Sequence, residues 1–131
     1  MRELARVSRG PEPPTVKLEG ALEVLFGAYA DGDPHFSDVL IAGWARARDD
    51  KQFRLTMAWL REQSRLSLEE ILDEGVRTGV FRAGLDAGAV ATAMLGAAEG
   101  CLLQAASSGG TVPPSRLVRA LLDLVARAPR G

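Results

Sequence analysis

The stretch DAGAVATAMLGAAEGCLLQAA, residues 86–106, decides the fold. Between Gly88 and Ala106 its only polar side chains are Thr92, Glu99 and Gln104; the rest are Ala, Gly, Val, Leu, Met and Cys. A surface helix of a globular protein carries one apolar stripe, and a helix that is apolar nearly all round must be covered on both sides. A chain of 131 residues has few other helices to do this. One face is therefore expected to pack on its own domain and the other on a second copy. The segment that follows, Ser115 to Ala128, carries an equally broad stripe of Leu117, Val118, Leu121, Leu122, Leu124 and Val125. Two adjacent over-apolar helices read as a dimer seam, and Gly96 and Gly100, one turn apart, would let another backbone approach closely.

Upstream the pattern stays helical. Leu18, Ala21, Leu22, Leu25, Phe26 and Tyr29 recur at helical spacing, and Asp31-Gly32-Asp33-Pro34 breaks the run. A second helix is expected from about Ser37, with Phe36, Val39, Leu40, Gly43, Trp44 and Ala47 along one side. Asp49 then offers an N-cap with Gln52 at capping-box spacing. From there a helix of about 28 residues, about 42 Å long, runs to Gly79. Phe53, Met57, Leu60, Ser64, Leu68, Ile71, Leu72 and Val76 share its apolar face, with Leu55, Trp59 and Leu66 to the side. Gly79 is suited to the helix end, Asp86 to the next start, and Pro113-Pro114-Ser115 to the last one. No alternating strand pattern or hairpin turn is present. The expected fold is all-α with about five helices: residues 1–16 form a charged lead containing Pro11, Pro13 and Pro14, and residues 17–131 form one domain.

Composition excludes several functions. The formal net charge of −1 lacks the concentrated basic face of a nucleic-acid binder. The single Cys101 allows no disulfide within the chain and behaves as a small hydrophobe. The N-terminus has no apolar signal core. The apolar segment with its Gly96-x-x-x-Gly100 spacing barely reaches spanning length, and Glu99 inside it would be costly in a bilayer. No membrane association is expected, and the location is read as cytoplasmic. No Ser/His/Asp set, nucleophile elbow or phosphate loop is present, so the chain does not read as an enzyme. Asp31, Asp33, His35 and Asp38 match neither a calcium nor a zinc spacing, and neither a metal nor a cofactor is expected.

The run GVFRAGLDAGAVATAMLGAAEGCLLQ, residues 79–104, resembles the C-terminal regulatory domain of TetR-type transcriptional repressors. The elements that carry the likeness are Gly79-Val80-Phe81-Arg82 after the long helix, Leu85-Asp86 opening the small-residue helix, Glu99-Gly100-Cys101-Leu102 within it, and the terminal helix from Ser115. The resemblance implies a dimer built as a four-helix bundle of the last two helices from each copy, and a ligand cavity among the preceding helices. It also implies paired helix-turn-helix heads that read DNA. No such head is recognisable in residues 1–16: Val7-Ser8-Arg9-Gly10 resembles its turn, but the aromatic residues that should follow are missing. DNA would be reached only through a head this chain does not contain.

Candidate residues follow. Tyr29, Trp44, Met57, Trp59 and Met94 are the aromatic and flexible side chains suited to an apolar small-molecule cavity; the alternative is that they fill the core. Glu99 must be paired, protonated or solvated, and it either lines the pocket, pairs with an arginine across the dimer, or sits at the rim. Gln104 lies about 140° further round the helix. Gly96, Gly100, Leu102, Leu103, Ala106, Leu117, Leu121 and Leu124 are the expected homodimer seam. A different reading is a stand-alone helical protein whose last helices bind a partner regulator.

Overall fold

The computed structural model describes residues 2–30, 34–108 and 113–127, with side chains for all of these except 2, 28–30, 34–41, 102 and 105–108. Six helices make up this structure: α1 (Arg2–Ser8), α2 (Pro14–Ala30), α3 (Pro34–Asp49), α4 (Lys51–Arg77), α5 (Ala87–Ser108) and α6 (Pro114–Val125). Among the described residues there is no strand, only an isolated antiparallel bridge between Phe81 and Ala126. The all-α reading is correct, with one more helix than the periodicity indicated: the charged lead contains α1.

At the centre lies α2, which packs against α1, α4, α5 and α6. Leu18, Ala21, Leu22, Leu25 and Phe26 are all buried along it. They meet Leu68, Ile71 and Leu72 of α4, Ala91, Met94, Leu95 and Ala98 of α5, and Val118 and Val125 of α6 in one core. Burial of this apolar area supplies most of the favourable free energy of such a domain. Leu4, 2% exposed, fastens α1 to the same core.

The helix ends follow from side-chain chemistry, with one correction. Asp50, not Asp49, caps α4, its carboxylate accepting the Phe53 N–H at 3.0 Å. Asp49 is the last residue of α3, so α3 and α4 are separated by the cap alone. At the other end the Thr78 N–H and hydroxyl both donate to the Glu74 carbonyl, at 3.0 and 2.9 Å. Gly79 then takes φ +79°, the left-handed conformation a side chain resists. That reversal lets the Val80 and Phe81 N–H groups both donate to the Gly75 carbonyl, at 2.9 and 3.0 Å. Asp86 accepts the Ala89 N–H at 3.1 Å and starts α5. Pro113 and Pro114 start α6 with no side-chain cap bond. The Arg82 N–H donates to the Val125 carbonyl at 3.0 Å, so the turn that ends α4 is sewn to the end of α6.

A buried polar junction joins α1, α2 and α4. The Lys17 ammonium, its side chain 7% exposed, bonds the Glu74 carboxylate at 2.9 Å and the Ser8 carbonyl at 3.2 Å. The Ser8 hydroxyl donates to the Ala5 carbonyl and reaches Glu70 at 3.4 Å. A lysine is seldom this buried unless paired. Here it ties down the last carbonyl of α1, one of those a short helix leaves without partners of its own.

Candidate functional site

Two grooves flank α5 on its outward side. The first lies between α4 and α5 and encloses about 390 Å³. Ala58, Leu95 and Gly96 line it together with Thr92, and a charged set stands around them. Arg61 bonds Glu99 at 3.0–3.1 Å across the two helices. Arg65 is held by Glu62 at 2.6 Å and by Glu69 at 2.8 Å, both on its own helix. The bond from Arg65 holds Glu62 below the usual carboxylate range, and the two carboxylates, Glu62 first, raise Arg65 further above its already high value. Gly88 makes room here: a Cβ on it would stand 3.3 Å from Glu69 Oε1 and 3.4 Å from Arg65 Nη1.

The second groove, about 260 Å³, lies between α5 and α6. Val90, Ala93 and Met94 form one wall, Leu121, Leu124 and Val125 the other, and Arg82 stands at one end. Its walls are apolar because α5 is built from small residues and α6 turns Leu117, Leu121 and Leu124 to the same side.

The six ligand-site candidates do not converge on one cavity among the described residues. Met94 is 2% exposed and lines the α5–α6 groove. Glu99 lines the α4–α5 groove and is paired within the chain. Trp44 on α3 and Met57 on α4 are half-buried, whereas Trp59 is 61% exposed on the outer side of α4. The side chain of Tyr29 lies outside the described residues, as do those of Asp31, Asp33, His35 and Asp38. Among the described residues no cluster of His, Cys, Asp and Glu could hold a metal ion.

The described seam candidates are all exposed or half-buried. On α5, Ala89, Ala93 and Gly96 are exposed and Gly100 is half-buried, and Leu103 is 45% exposed. Among the described residues a Cβ added at Gly96 or Gly100 would meet nothing within 4 Å, so no described neighbour requires either glycine. On α6, Leu117 and Leu121 are half-buried and Leu124 is 65% exposed. The side chains of Leu102 and Ala106 lie outside the described residues. Cys101 is buried, and that burial pushes its thiol pKa up, which makes it a poor nucleophile.

Sequence reasoning missed the Arg61–Glu99 pair. The partners are 38 residues apart, and nothing in either local pattern marks the other. The Arg65–Glu69 pair, by contrast, is legible from its four-residue spacing. No helix among the described residues is long and apolar enough to cross a membrane.

Comparison with curated proteins and with solved structures gives no match. A family model does match: that of the BetI-type transcriptional repressor, C-terminal, over residues 14–129. The match begins at the first residue of α2 and runs past the end of α6, so it takes in five of the six described helices, the buried core apart from Leu4, and both grooves. The chain therefore belongs to the TetR family of transcriptional regulators, as a C-terminal domain of the BetI type.

Proposed function

We propose that this domain is the effector-sensing and homodimerising half of a TetR-type regulator, and that it pairs through the outward faces of α5 and α6. The observation that carries the reading is the surface of small and apolar residues shared by these helices, from Ala93, Gly96 and Gly100 to Leu121 and Leu124. Two copies related by a two-fold axis would cover each other's surface with the same residues. Gly96 and Gly100, required by no described neighbour, would bring the two α5 backbones close. Leu124 would lose the 65% exposure that is unfavourable for a leucine in water.

The effector in this reading is a small, largely apolar molecule. The α4–α5 groove offers it an apolar floor at Leu95 and Ala58 and a polar rim at Arg61, Glu99 and Thr92. A few polar groups around an apolar floor are what orient a small ligand. DNA contact belongs to a reading head that is not among these residues.

Native mass spectrometry of the freshly purified chain tests both halves. A two-chain mass supports the seam, and an added mass of a few hundred daltons, on the scale of ligands such pockets enclose, supports the effector site. A clean monomer overturns the seam and favours the other occupant of the same surface, a partner regulator.

A further inference from the structure

Leu55, Trp59 and Leu66 on the outward face of α4 line neither groove among the described residues. Leu68, Ile71, Leu72 and Gly75 turn inward; opposite them stand Leu55 at 52%, Trp59 at 61% and Leu66 at 39% exposure. Their spacing, four and then seven residues, keeps them on one line along about 16 Å of helix. An exposed line of large apolar side chains on a surface otherwise rich in charge marks an interaction surface.

The charge along this line is polarised. Lys51 stands at its N-terminal end, and Glu70 and Asp73 follow beyond Leu66, with Arg77 one turn further; Glu69 beside them is bound by Arg65 at 2.8 Å. Glu62, in the middle, is neutralised by Arg65 at 2.6 Å. A line that is basic at one end, apolar in the middle and acidic at the other complements itself when laid antiparallel on a copy. Leu55 then meets the second copy's Leu66, the two Trp59 rings lie near the axis, and Lys51 approaches the second copy's Glu70 and Asp73. We infer that α4 is a second self-association surface, whose occupant is α4 of another copy packed antiparallel about a two-fold axis. The short apolar line makes the contact weak. It is distinct from the α5–α6 seam, so a chain using both builds assemblies larger than a dimer.

The test is sedimentation velocity on the full chain across a concentration series up to several hundred micromolar, a range in which weak contacts populate. The unmodified chain is expected to exceed the mass of a dimer at the top of the series. Trp59→Glu and Leu66→Glu are each expected to weaken the higher step by about tenfold or more and leave the dimer. Lys51→Glu and Asp73→Lys should each weaken it too, and the double swap Lys51→Glu/Asp73→Lys should restore it. Were the α5–α6 seam wrong and this contact right, Leu124→Glu would change nothing and Trp59→Glu would give a monomer. Trp44→Phe leaves Trp59 as the sole indole, and its emission should shift to the blue with concentration. Masses and emission that ignore Trp59→Glu, Leu66→Glu and concentration overturn the proposal.

Discussion

The ring of Phe81 lies directly on the α-carbon of Gly75: a Cβ built there would overlap the ring, with Cγ at 2.7 Å. The same glycine's carbonyl takes the N–H groups of Val80 and Phe81. A single position on α4 therefore supports both the side chain and the backbone of the turn. Gly75→Ala is expected to cost about 1–3 kcal/mol through overpacking, or roughly 4 °C of Tm per kcal/mol. Gly79→Ala meets open space but sits at φ +79° and should cost about 1 kcal/mol from backbone strain alone. Thermal unfolding of the two variants separates the causes, and a neutral Gly75→Ala would contradict the close contact.

Gly100→Leu distinguishes packing within the chain from packing between copies. Among the described residues a Cβ at this position meets nothing within 4 Å, and replacing a helical glycine gains about 0.8 kcal/mol of helix propensity. The variant should therefore fold at least as well as the original while losing self-association through α5. Leu124→Glu should act in the same direction. Light scattering coupled to a sizing column reads this directly, and an unchanged dimer in both variants removes the seam.

Lys17→Met should detach α1. It leaves the Glu74 carboxylate and the Ser8 carbonyl without their shared donor. Because the Glu74 side chain keeps 29% exposure, water can recover part of the loss, and the cost should be about 2 kcal/mol rather than the upper range for a broken buried pair. Hydrogen exchange should show α1 losing protection before α4. Lys17→Met with Glu74→Leu should recover much of the stability, and a single variant with α1 fully protected would assign the helix's position to Leu4 alone.

Asp50 gives the fold a pH dependence of defined sign. Its carboxylate is held below the usual range first by the Phe53 N–H, with Arg46 adding to the effect. A depressed folded-state pKa means stability present above the ordinary carboxylate value and lost as pH falls through the folded one. The N-terminus of α4 should fray below about pH 4. Asp50→Asn keeps a capping oxygen and should remove this part of the acid sensitivity, whereas Asp50→Ala should fray α4 at every pH. Helicity followed by circular dichroism between neutral and acid pH reads both.

The helices were legible because each depends on a local rule. Periodicity marks α2, α4 and α6, glycine and proline mark the breaks, and aspartate marks the starts, to within the one residue between Asp49 and Asp50. What local rules could not supply was every feature made by distant partners. The helix α1 is short and charged, and it is held by Leu4 in the core and by Lys17 beneath it, two contacts whose partners lie outside residues 2–8. Glu99 leaves three readings open in the sequence; in the fold it lines the α4–α5 groove and is bound by Arg61 of its own chain. Trp59 looked suited to a cavity because indoles are usually covered; its register on α4 relative to Leu68 and Ile71 turns it outward. Periodicity gives the angle of a residue on its helix, and only the neighbouring helices determine what that angle faces.

The bond from Arg82 to Val125 gives α6 two unequal ends. Its last residue is stitched by main chain to the turn after α4, while its first, behind Pro113, has no side-chain cap bond. Val118 and Val125 both anchor α6 in the core, and only the Val125 end adds a main-chain bond to another element. Repacking along Leu117, Leu121 and Leu124 would be felt least at the stitched Val125 end. The stitched end would stay with α4, the helix that also carries Arg61 and the junction to α1. A push delivered at the seam and a ligand seated beside α4 would thus share one mechanical reference point.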